Sequence, residues 1–129
     1  MELKAGIKGY RELYVSHENT AAALGSGLLE VFATPAMIAL MEQTACESVL
    51  EALDEGCGTV GTRLEVTHDA ATPVGMKVWC ESELTAVEGR KLSFTVKAYD
   101  ECGPIGGGIH ERFIINNEKF LAKVLAKKA

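Results

Sequence analysis

The stretch "VFATPAMIALMEQTACESVL", residues 31–50, places a carboxylate where an apolar side chain is expected. Thr34-Pro35 reads as a helix start, because threonine can cap free amides and proline is tolerated in the first turn, and the run that follows makes about five turns. At 3.6 residues per turn, Glu42 shares its face with Ile38, Ala39, Ala45, Cys46, Val49 and Leu53, while Gln43, Glu47 and Glu51 fall on the polar side. A carboxylate in such a place either reaches solvent or a buried arginine, or serves as a general base whose strength is tuned by burial and by a neighbouring cation. His68 raises the same choice. It ends an alternating stretch on the apolar side, where it is either a hydrogen-bonded structural imidazole or a proton donor to a leaving group. Thr34 reads locally as a helix cap, with a nucleophilic or positioning hydroxyl as the alternative, and the helix start also presents amides able to hold an oxyanion.

Thr34 and Glu42 are eight positions apart, about 12 Å of rise on a continuous helix. A direct contact requires Thr34 to stand off the helix or the two groups to come from different subunits. Gly61 interrupts a strand pattern, either as a bulge or to let a ligand approach the backbone. His110 and Arg112 share one face of the strand after "GGG", and Arg112 can pair with a buried carboxylate or hold a substrate.

The elements that must position these groups are legible from periodicity. Residues 7–15 read as a strand, and Ser16 opens a short helix that Gly25 can end. After the long helix, "DEGCG" makes a break. Residues 59–68 then alternate, with Val60, Thr62, Leu64, Val66 and His68 on one face and Thr59, Arg63, Glu65 and Thr67 on the other. "MKVWCESELTAVE" and "KLSFTVKAYD" form a hairpin about the two-residue loop "GR", "ECGP" turns into "IGGGIHERFIIN", and residues 117–129 read as a terminal helix. Four consecutive strands favour an antiparallel meander with the long helix as its cover. That helix is apolar nearly all round over residues 36–41, so it needs a sheet curled about it, or a sheet plus a partner subunit. The expected class is α+β: a hot-dog fold, with a curled antiparallel sheet wrapped around a long central helix.

Residues 1–129 read as one domain, with no linker or low-complexity tract. The net charge of −5 and the scattered basic residues argue against a nucleic-acid partner, and no apolar run is long enough for a membrane span. The N-terminus lacks the apolar core of a signal peptide, and the four cysteines, without CxxC or zinc spacing, read as reduced thiols, so a cytoplasmic location is expected. No GxSxG elbow, phosphate loop or HExxH motif competes with the residues above.

"VFATPAMIALMEQTA", "GTVGTRLEVTHDAATPVG", "VEGRKLSFTVKAYDE" and "IGGGIHERF" together resemble the hot-dog thioesterases of the fluoroacetyl-CoA thioesterase-like family, over about residues 10–125. The resemblance implies hydrolysis of an acyl-CoA thioester without metal or other cofactor, in a homodimer whose sites lie near the interface. It implies catalytic roles for Thr34, Glu42 and His68, contact of Gly61 with the acyl-thioester group, and a substrate-side position for Arg112. In the segment covering the pocket, Gly25 and Leu28 stand where the fluoroacetyl-specific enzyme has phenylalanines, so the expected substrate is a more general small or medium acyl-CoA. Two other readings make different predictions: a non-catalytic acyl-CoA-binding protein would release no thiol, and an enoyl-CoA hydratase would leave the thioester intact.

Overall fold

A computed structural model describes residues 1–128. In chain order the elements are β1 (Lys8–Tyr14), α1 (Ala21–Leu24), α2 (Thr34–Val49), β2 (Cys57–His68), β3 (Lys77–Glu88), β4 (Lys91–Asp100), β5 (Gly103–Asn116) and α3 (Asn117–Leu125). The five strands form one antiparallel sheet in the order β1-β3-β4-β5-β2, with α2 packed on its concave side. This is the expected α+β hot-dog arrangement.

The chain from β3 to β5 follows the expected hairpins. Gly89, with φ of 63°, sits in the two-residue loop between Glu88 and Lys91, where a left-handed conformation is needed and glycine adopts it without strain. The simple meander does not extend to β2. That strand pairs with β5 at the far edge, and eight residues, 69–76, carry the chain across to β3. A connection of that length, tied down by the amides of Asp69 and Ala70 on the Ile105 carbonyl, is a crossover rather than a hairpin turn.

Helix α2 seats Met37, Leu40, Met41, Thr44, Ala45 and Val49 on the sheet. They meet Val78, Cys80 and Leu84 of β3, Leu92, Phe94, Val96 and Ala98 of β4, and Ile105 of β5, all buried. Each large apolar side chain buried this way contributes about 1.5–3 kcal/mol. Close approach at β1 depends on Gly9, where a Cβ would lie 2.8 Å from both Ser48 Cβ and the Thr44 carbonyl. The buried stripe is therefore centred one residue away from the face inferred from periodicity. Glu42 borders it instead of lying on it, and its side chain is 40% exposed. The other apolar face of the first turns, Pro35, Ile38 and Ala39, is not covered by the sheet and stays exposed or half-buried.

Strand β2 departs from regular alternation. Gly61 pairs with Arg112 and Arg63 with Glu111, so Thr62 is an extra residue, a β-bulge. Thr59 and Gly61 consequently face the helix side before the bulge, and Leu64, Val66 and His68 after it. Val60 and Thr62 do not share the face of Leu64, contrary to an unbroken period of two. Among the described residues no helix is long and apolar enough to cross a membrane.

Candidate active site

Two clusters of polar side chains lie at opposite ends of β2. At its C-terminal end, His68 Nδ1 is 2.7 Å from Thr34 Oγ1. Thr34 is the first residue of α2, after Ala33, whose side chain makes no cap. Local propensity favoured Thr34 as the cap; in the fold the cap position belongs to Ala33, which frees the Thr34 hydroxyl for His68. Burial holds the His68 imidazole below its ordinary value, opposed by the Ala70 backbone and by Asp69, so the neutral ring is favoured near pH 7. Its Nε2 is buried and has no hydrogen-bond partner among the described residues. The pair opens on a cavity of about 210 Å³ lined by Ala21, Val31, Phe32, Ala70 and Ala71.

The second cluster lies near Gly61. Arg112, 5% exposed, donates from Nε to Thr59 Oγ1 at 2.7 Å and from Nη2 to the Thr59 carbonyl at 2.9 Å. Its Nη1 lies 3.1 Å from His110 Nε2 and 3.7 Å from Glu42 Oε2. Glu42 is the one carboxylate within 4.0 Å of this guanidinium among the described residues. Glu42, Arg112, Ala39 and Cys46 line a second cavity, of about 360 Å³.

Gly61 makes the placement of Glu42 possible. A Cβ there would be 2.7 Å from Glu42 Oε2 and 3.3 Å from Arg112 Nη1. The nearest of these atoms is the end of a mobile, half-exposed side chain, so Gly61→Ala is expected to displace the carboxylate without unfolding the protein. Steady-state kinetics and a thermal melt check this: a fall in kcat of roughly tenfold or more, with Tm within a few degrees of the parent.

Within the chain the structure joins Thr34 to His68, and Gly61 to Glu42 and Arg112, and keeps the two groups apart. Seven strand positions separate Gly61 from His68, about 20 Å, and the continuous helix keeps Thr34 about 12 Å of rise from Glu42. Thr59 and His110 belong to the site although neither stood out as a site residue by type. Alternation already puts His110 on the face of Arg112, two residues away, but assigns it no role. Thr59 could not, because the bulge reverses the face that alternation assigns to it.

A family model for fluoroacetyl-CoA-specific thioesterases matches residues 15–118. The curated fluoroacetyl-CoA thioesterase of Streptantibioticus cattleyicolor is 49% identical over 98 residues, covering 76% of this chain and 70% of that protein. The chain belongs to this thioesterase family. It is a thioester hydrolase. A solved structure of fluoroacetyl-CoA thioesterase FlK superposes with a TM-score of 0.93 at 39% identity, covering 98% of both chains. The hot-dog-like protein of Thermanaerovibrio acidaminovorans superposes with a TM-score of 0.87 at 28% identity, over 97% of this chain and 93% of its own. A Thermus thermophilus thioesterase-superfamily protein gives the same TM-score at 30% identity, over 95% of this chain and 91% of its own.

Proposed function

We propose that residues 1–129 form a single catalytic domain that hydrolyses small or medium acyl-CoA thioesters to free acid and CoA, in a homodimer with two sites shared between the subunits. The observation that carries this reading is the division of the polar groups: a Thr34–His68 pair beside one cavity, and a Glu42–Arg112–Gly61 cluster beside another. Each is half of an acid-base site, and each lacks what the other has. Strand β2 is a sheet edge, with its outer backbone groups free to pair. Antiparallel pairing of two β2 strands about a two-fold axis near Leu64 and Glu65 sets Gly61 of one subunit beside the partner's His68 and covers the uncovered face of Pro35, Ile38 and Ala39.

In the assembled site the thioester carbonyl lies by the start of α2 and Gly61, where backbone amides polarise it. Glu42 takes a proton from water, directly or through the Thr34 hydroxyl, and the water oxygen bonds to the carbonyl carbon. The C–S bond then breaks, and the departing sulfur receives a proton by way of His68, made good from Glu42. Arg112 holds Glu42 on the substrate side. These steps use side chains and water alone. The four cysteines are unbridged, which fits a reducing cytoplasmic location.

Ala21, Ala70 and Ala71 leave room for a short acyl group beside Thr34 and His68, with Phe32 and Val31 as its apolar wall. Leu28 in the segment before α2 is 95% exposed, and Gly25, with φ of 74°, ends α1, so neither fills that cavity with an aromatic ring. Free thiol measured over a series of acyl-CoAs is expected to appear with each short-chain substrate, with kcat/KM falling as the chain lengthens. Binding of every acyl-CoA with no thiol released, or loss of enoyl absorbance with the thioester intact, would refute the assignment.

A further inference from the structure

His110 is the most deeply buried titratable side chain beside the Glu42 cluster, with no exposed surface, and its ring packs against Phe94 at a centroid distance of 6.2 Å. Its Nδ1 lies 2.8 Å from the Arg63 carbonyl. A carbonyl oxygen only accepts, so Nδ1 carries the proton. In the neutral ring Nε2 then presents a lone pair, and the group facing it at 3.1 Å is Arg112 Nη1, which only donates. One tautomer satisfies both contacts.

Arg63 is the residue that follows the extra Thr62, so its carbonyl is presented to His110 by the bulge itself. A chain of contacts therefore runs from the bulge through the imidazole and the guanidinium to the carboxylate. Thr59 holds two other nitrogens of Arg112, and the remaining freedom of Nη1 is divided between His110 and Glu42.

We propose that His110 is a positioning residue for hydrolysis, the fixed acceptor that orients Arg112 Nη1 toward Glu42. This rests on the reading of Glu42 as the base. Burial keeps the His110 ring below its ordinary value and the Arg112 charge adds to this, while the Arg63 backbone and the Glu42 and Glu111 charges oppose it. The lone pair that Arg112 needs is thus retained.

Three measurements test it. Long-range ¹⁵N–¹H imidazole spectra of the parent protein, with His110 assigned by difference from His110→Phe, are expected to give a protonated Nδ1 and a bare Nε2. The opposite tautomer, or a doubly protonated ring near neutral pH, would overturn the proposal whatever the enzyme's substrate. His110→Phe, similar in bulk but without the acceptor, is expected to lower kcat by roughly tenfold with KM within about twofold, and His110→Gln, whose side-chain oxygen can accept from Nη1, to recover most of the rate. Equal kcat in folded His110→Phe and parent protein would also overturn it, as would Phe and Gln variants equally impaired. If the Phe variant does not fold, His110→Gln supplies the assignment by difference, and the tautomer and the Gln variant's rate decide. Combined with Glu42→Gln, His110→Phe is expected to cost nothing further, because the two act as one unit. Full activity in Glu42→Gln alone would instead refute the base assignment, a result distinguishable from failure of His110.

Discussion

Glu42→Gln is expected to lower kcat for acyl-CoA hydrolysis by roughly 10²–10⁴-fold, the usual contribution of a positioned general base, with KM little changed. The substitution keeps the shape of the side chain and its distance to Arg112 but removes the ability to take a proton. Loss of the negative charge leaves Arg112 without its carboxylate, which in a fully buried pair would cost several kcal/mol. Here the cost is smaller. Glu42 is 40% exposed and 3.7 Å from Arg112, a distance at which water shares the interaction, while Thr59 and His110 continue to hold the guanidinium. Tm should accordingly fall by only a few degrees, so that rate and stability separate. A folded Gln variant retaining more than about one tenth of the parent rate would remove Glu42 from the mechanism.

Mixing two inactive variants should restore activity. If Thr34 and His68 act with the partner's Glu42, a dimer of one Glu42→Gln chain and one His68→Ala chain contains one site with both lesions and one with none. Random exchange makes half of all dimers mixed, each with half its sites intact, so about one quarter of the parent activity should appear. Each variant alone has a lesion in both of its sites and stays inactive. The measurement is thiol release after mild denaturation and refolding of the equimolar mixture, with His68→Ala plus Thr34→Ala as the control. That control pair removes the same half-site from both chains and should recover nothing. Absence of recovery in a mixture verified to contain mixed dimers would mean that each site is built within one subunit.

The fold could be read largely from turns and periodicity because most strands obey them. The "GR" loop, the β4 pattern and the start of the terminal helix lie where local chemistry places them, although α3 ends at Leu125 and residue 129 of the expected helix lies outside the described residues. Pairing of β2 was not legible in this way. Alternation fixes which face a strand buries but not which neighbour it chooses, and a long connection permits either edge. The residue types of the candidate site stand out in the sequence: Glu42 among apolar neighbours, and His68 at the end of an apolar face. Their grouping does not. The Thr34–His68 contact joins residues 34 positions apart and depends on the crossover from β2, and the Thr59–Arg112 contact depends on an extra residue that periodicity cannot see. Propensity also named Thr34 as a cap, because a hydroxyl at a helix start is more often used locally than by a distant ring.

The bulge at Thr62 gives β2 a tolerance for length that a strand carrying a proposed active site seldom has. Deletion of one residue normally turns every side chain beyond it to the opposite face, moving a catalytic group out of its cleft. Here the supernumerary residue sits between the two functional ends. Its removal would join Gly61 to Arg63 in regular alternation and leave Gly61 and His68 both facing inward. What such a shortened strand would lose is the local bend that presents the Arg63 carbonyl to His110. Loss of Thr62 would therefore leave the proposed site residues on their face and disturb only the fine alignment of the carboxylate.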